Sequence, residues 1–192
     1  MQIVKNLTCS LIFLLTVPST GQASDPAVQT TLAKGNSFEN KIFRLRLMPR
    51  TANQIAAFYE ARGFPDFAIN ELRNVCFITL GLGNRSDNKL YHDLSQWQFT
   101  DDNGPVNRIL RPDWEKRWNK LGLKQRFQST FRWTLMPEKL DFYPQEGEGG
   151  NIIFARSSQP ITIKARVRTG ELDKQVIYEV IFKDVECAED PR

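Results

Sequence analysis

Histidine occurs once in the 192 residues, at His92. A Ser-His-Asp or Cys-His relay needs an imidazole to take the nucleophile's proton. Only one residue could serve here, it reads as part of a turn-to-strand connection beside Asp93, and no Gly-x-Ser-x-Gly elbow accompanies it. A surface or packing histidine is the expectation. Cysteine is almost as scarce, with three in the chain, and no Cys-x-x-Cys or His-x-x-x-His spacing occurs. Zinc and copper sites need such clustered ligands, so neither a metal nor a cofactor is expected. No stretch after the N-terminal segment approaches the roughly 18 apolar residues of a membrane-spanning helix. The charge excess is small, with 26 Lys and Arg against 22 acids. So mild a balance does not suggest nucleic acid as a partner. There is no internal repeat.

What is present begins with a leader. Lys5 precedes the apolar run Leu11-Ile12-Phe13-Leu14-Leu15, and Pro18 to Ala23 form a small, polar segment with Gly21 and Ala23 before a cut. Residues 1–23 therefore read as a secretory signal. Cys9 lies ahead of the apolar run, so no lipid-modified cysteine is expected. Cleavage leaves Cys76 and Cys187 alone in an oxidising compartment, where an even pair reads as one disulfide. The expected location is periplasmic or extracellular. The formal sequon Asn84-Arg85-Ser86 keeps a eukaryotic secretory route open.

Residues 24–40 are polar and read as a mobile lead-in, with a weak strand at 29–33. A single domain is expected over 41–188 and a fraying tail over 189–192. The organising stretch is Cys76 to Asn84. Cys76, Ile78, Leu80 and Leu82 alternate with Phe77, Thr79, Gly81 and Gly83, the period of a strand. The second set is small apart from Phe77, so something can approach that face closely. Phe43, Leu45 and Leu47 alternate with Arg44, Arg46 and Met48 in another strand. Between the two strands, Thr51 with Gln54 forms a capping box. Gly63 and Pro65 then divide residues 51–74 into an αα-hairpin, with Phe67, Ile69 and Leu72 on one face. Further strands are expected at 94–100, 125–135, 140–143, 152–155, 161–167 and 176–185, a short helix at 112–122, and a flexible acidic glycine hairpin or loop at 145–151. The fold class is mainly β, a single antiparallel sandwich carrying the helical hairpin and one inserted helix. A small OB-like barrel is the alternative. The strand Cys-x-Ile-x-Leu, the polar turn after it and the strand Trp97-x-Phe99 ending in Asp101-Asp102-Asn103-Gly104 are similar to the inner strands of immunoglobulin-like modules in exported proteins. The resemblance covers residues 76–104 and implies a fold, not an activity.

Carboxylates offer a weak catalytic case. Glu146 and Glu148 flank Gly147 in the expected loop, and Glu138 and Asp141 are no better placed for glycoside hydrolysis. Asp101 to Gly104 read as a hairpin turn, not a calcium loop. Cations beside aromatics stand out more. Lys116, Arg117, Lys120, Lys124 and Arg126 gather around Trp114 and Trp118, Arg44 and Arg46 share a strand face, and so do Lys164, Arg166 and Arg168. Such sets suit anionic glycans, phosphates or lipid headgroups. The expectation is an exported, non-enzymatic binding or scaffolding module, with Trp114, Lys116, Arg117, Trp118, Lys120 and Lys124 as the candidate surface for an anionic envelope component or another envelope protein. A secreted hydrolase with a carboxylate-based site is the alternative.

Overall fold

Strand Val75–Asn84 has three surroundings, and the rest of the chain is arranged by them. In the computed structural model, which describes residues 26–170 and 175–191, its residues Cys76, Ile78, Leu80 and Leu82 face a core shared by two sheets. On the opposite face, Phe77 packs into a second core made largely by helices, joined by Val75. Thr79 and Gly81, also on that opposite face, are covered by neither core. The expected signal at residues 1–23 lies outside the described residues.

In chain order the elements are β1 (Ala27–Leu32), β2 (Ser37–Glu39), β3 (Phe43–Arg50), α1 (Ala52–Glu60), α2 (Asp66–Arg73), β4 (Val75–Asn84), β5 (Leu90–Asp93), a 3-10 turn (Leu94–Gln96), β6 (Gln98–Asp101), β7 (Gly104–Pro105), α3 (Arg111–Lys120), α4 (Gln125–Trp133), β8 (Lys139–Phe142), β9 (Gly147–Ala155), β10 (Ile161–Thr169) and β11 (Val176–Val185). The smaller sheet runs β2-β3-β4-β9. The larger runs β1-β11-β10-β5-β8, with β6 also on β10 and β7 on β6. The protein is thus mainly β. Phe43, Leu45 and Leu47 of β3 and Ile78 and Leu80 of β4 meet Ile163, Ala165 and Val167 of β10 and Val180 and Phe182 of β11 in one core. No ladder joins the two sheets among the described residues, unlike the OB-like alternative. The pairing is not wholly antiparallel, because β1 runs parallel to β11. Cys76 and Cys187 are bonded, with Cα atoms 5.4 Å apart. The bridge fastens the end of β11 to the smaller sheet. No described helix is long and apolar enough to cross a membrane.

The helical hairpin forms with its capping box in place, Thr51 and Gln54 each accepting from the other's backbone N–H. Gly63, at φ 72°, supplies the left-handed turn between α1 and α2. In α2 it is Ala68, Ile69 and Leu72 that are buried, and the expected Phe67 is exposed.

Three expectations are corrected. Residues 125–135 form a helix over 125–133, not a strand. Phe127 and Phe131 fit both readings, since a spacing of four satisfies period two and a helical turn alike. The strand reading also needed Trp133 inside, and it is 86% exposed. Residues 147–151 are not a loop: they begin β9, paired in register with β4 from Gly83↔Gly147 to Val75↔Ala155. The turn chemistry of glycine misled there, because Gly147 and Gly150 serve close approach instead. The expected mobile lead-in of residues 24–40 supplies β1 and β2, the first beginning before the weak strand foreseen at 29–33. At the other end, the Asp190 carboxylate accepts from Asn53 N at 3.0 Å, tying the expected tail to the start of α1.

Candidate functional site

The register of the smaller sheet builds an open trough on its outer face. Gly83 of β4 lies opposite Arg44 and Gly147, Gly81 opposite Arg46 and Gly149, and Thr79 opposite Met48 and Asn151. Residues directly opposite share a face. A row of Arg44, Arg46 and Met48 on β3 therefore stands beside a floor of four glycines. Two cavities of about 430 and 650 Å³ follow this strip and share Gly149 in their linings. The first is lined by Arg44, Arg46, Gly81 and Gly147, the second by Arg50, Thr79, Asn151 and the α1 residues Gln54 and Phe58.

The glycines are not equivalent. A Cβ on Gly150 would lie 2.4 Å from Met136 N and 2.8 Å from Leu135 C, so the crossing of residues 134–136 over β9 demands glycine. At Gly83 a Cβ would lie 2.9 Å from Arg44 Nε, whose side chain is laid across it. At Gly81 it would meet nothing within 4 Å, and at Gly149 only Leu80 O at 3.5 Å, with no positive φ at either. Glycine inside a strand costs about 0.5–1 kcal/mol relative to alanine. Nothing among the described residues explains that cost at the facing pair Gly81 and Gly149.

The walls are rich in donors. Arg50 Nε donates to Thr79 Oγ1 at 3.0 Å, and Thr79 Oγ1 donates to Asn151 Oδ1 at 2.8 Å. This relay holds Arg50 over the strip and turns the Asn151 amide so that its Nδ2 has no protein acceptor among the described residues. Arg44, Arg46 and Arg50 have no carboxylate partner among the described residues. Glu39, opposite Arg44, is bridged to Arg85. The one acid lining the strip is Glu148, whose carboxylate accepts from Gly149 N at 3.0 Å.

The other basic sets are placed differently. Trp114 and Trp118, expected on a surface, are each 1% exposed and stack on each other at 4.9 Å beside Phe131 in the helical core. Spacing of four put them on the buried stripe of α3. Arg117 lies over Trp114 and pairs with Glu71 at 3.4 Å, while Lys116, Lys120 and Lys124 are exposed and make no cation–π contact among the described residues. The set on β10 is partly neutralised, since Lys164 pairs with Glu179 at 3.3 Å. An exposed aromatic among arginines does exist, at Trp133. It borders a cleft of about 480 Å³ with Arg108, Arg111 and Arg132, but these are engaged by Glu138 and Glu115.

His92 is a core residue of β5, 2% exposed, not part of a connection. Its Nε2 is 3.3 Å from Pro137 O and donates to it, leaving Nδ1 buried with no partner. Burial lowers its pKa to about 4, with the Pro137 carbonyl and the carboxylates of Asp93 and Glu138 opposing. The candidate carboxylates have local roles. Glu138 holds Arg108 in a two-bond pair at 2.8 and 2.9 Å, and Glu146 accepts from Tyr143 N at 2.8 Å. The sequon Asn84 is buried, and its Nδ2 donates to the carbonyls of Asn88, Phe142 and Tyr143.

No known protein family matches the chain, and no curated relative does. Two solved structures are similar in part. The yjhA protein of Bacillus subtilis is 8% identical, with a TM-score of 0.38, over 76% of this chain and 96% of that one. The ycdA protein of Bacillus subtilis is 8% identical, with a TM-score of 0.39, over 77% of this chain and 38% of that one.

Proposed function

We propose that the protein is an exported, non-enzymatic binding module that takes an anionic ligand on the outer face of its smaller sheet. The observation that carries this reading is the facing pair Gly81 and Gly149, glycines with no steric need among the described residues, beside Arg44 and Arg46, cations with no carboxylate partner among them. A strained composition with no return in the folded chain is the mark of a surface kept for something else. Export rests on the leader of residues 1–23 and on the Cys76–Cys187 bond, which persists only in an oxidising compartment. The two facing sheets and the cystine between them suit the immunoglobulin-like plan expected from residues 76–104, with four helices inserted. Of the three basic sets, the trough replaces the α3 surface as the binding site, because the α3 tryptophans are committed to the core.

The test is retention of the purified protein on anionic liposomes, lipopolysaccharide and cell-wall fragments. Retention at low salt should fall as salt rises, because exposed charges are screened beyond about 8–10 Å at physiological ionic strength. The double variant Arg44→Ala/Arg46→Ala should lose it. Retention on none of these materials, or retention that the double variant keeps, overturns the reading.

A further inference from the structure

We infer that the ligand of the trough is an acidic glycan chain laid along the strands, not a single anionic group, an inference that rests on the anion-binding reading above. The first reason is length. Arg44 and Arg50 are six residues apart on one strand, which places them about 20 Å apart at roughly 3.4 Å per residue. The cavities at the two ends are both lined by Gly149. One phosphate or one sugar would occupy a fraction of that length and leave either the Arg44–Arg46 pair or Arg50 unused.

The second reason is the set of groups that line it. Arg50 is held by Thr79, and Thr79 by Asn151, so the far cation is oriented before any ligand arrives. Fixing a long side chain in advance lowers the entropic cost of binding. With Asn151 Nδ2, the strip offers donors at both ends and few acceptors, matching a ligand rich in hydroxyl and carboxylate oxygens. At the Arg44–Arg46 end its floor is the backbone of Gly81, Gly147 and Gly149.

The third reason excludes the usual peptide route. An extended peptide joins a sheet by adding a strand to a free edge. On β9 that edge is occupied where Asn151 O accepts from Met136 N, Asn151 N donates to Thr134 O, and Ile153 O accepts from Ile109 N. The opposite edge, β2, is only three residues long.

The experiment is calorimetric titration of the full protein with galacturonate oligomers of one, two, four and six sugars, with inorganic phosphate, a neutral maltohexaose and a hexaglutamate peptide as further arms. Linking weak contacts on one chain makes the later ones intramolecular. Affinity should therefore rise about tenfold or more from dimer to hexamer. Arg50→Gln should weaken the hexamer about fivefold to tenfold and leave the dimer within twofold, while Glu148→Gln should strengthen both. Gly81→Val, whose side chain enters open space, should abolish binding with folding intact. If phosphate or the monomer binds as tightly as the hexamer, the anion site stands and the chain inference fails. If hexaglutamate matches the hexasaccharide, or maltohexaose does, the assignment to an acidic glycan fails. If no anion binds, both readings fail together.

Discussion

Two glycines of the same sheet should respond in opposite directions to the same substitution. Gly81→Ala adds a Cβ that meets nothing within 4 Å on a strand with no positive φ. It removes backbone freedom from the unfolded chain, and stability should rise by about 0.5–1 kcal/mol. Gly150→Ala adds a Cβ that would lie 2.4 Å from Met136 N and 2.5 Å from Met136 Cα. Those are backbone atoms of a segment held by Met136 N→Asn151 O at 3.0 Å and Asn151 N→Thr134 O at 2.8 Å, so the crossing must move and both bonds weaken. Overpacking of this kind costs about 1–3 kcal/mol, and each of the two weakened hydrogen bonds about 0.5 kcal/mol more, for a loss of about 2–4 kcal/mol. Urea unfolding followed by tryptophan fluorescence reads both. With a slope near 2 kcal/mol/M, the midpoint should rise by about 0.3–0.5 M for Gly81→Ala and fall by about 1–2 M for Gly150→Ala, the slope unchanged. A loss of stability in Gly81→Ala would show that the fold needs this glycine and would remove the main reason for reading the trough as a site. A neutral Gly150→Ala would refute the close approach of residues 134–136.

The Cys76–Cys187 bond closes a loop with a sequence separation of 111 residues, for which the chain-entropy relation gives about 4–5 kcal/mol. Reduction should lower the urea midpoint by about 2 M, and the intact mass should gain two hydrogens; an unchanged midpoint would show that the smaller sheet holds β11 without it. His92 has a folded-state pKa of about 4, below its unfolded value near 6.5, so the unfolded chain binds the extra proton between these values. Stability is therefore full above about pH 6.5 and is lost as pH falls toward 4, by at most about 3 kcal/mol, and His92→Phe should flatten that slope in acid-titrated unfolding curves. Asn84→Ala removes the donor to three carbonyls and the acceptor for Ser86 N and Oγ, and should cost about 2–4 kcal/mol by thermal unfolding. A shift under 0.5 kcal/mol would mean that the turn after β4 is not held by this side chain.

Period and capping chemistry are local, and where they decide structure the sequence could be read directly. The alternation in Cys76 to Asn84 and in Ile161 to Val167 needs only the pleat of a strand, and Thr51 with Gln54 needs only the first turn of a helix. The pairing of Cys76 with Cys187 followed from counting the cysteines left by the expected leader. The small face Thr79, Gly81 and Gly83 and the basic face Arg44 and Arg46 were each visible too, as separate features. Only the tertiary structure decided that they form one surface, because the register of β3, β4 and β9 depends on contacts far apart in sequence. The same long-range packing turned residues 125–133 into a helix, since Phe127 and Phe131 found a helical core with Trp114 and Trp118 and not a neighbouring strand. It also placed a strand where the glycines of 147–151 suggested a turn, because glycine permits close approach as readily as reversal, and what approaches, Leu135 and Met136, is fixed only once the chain has folded.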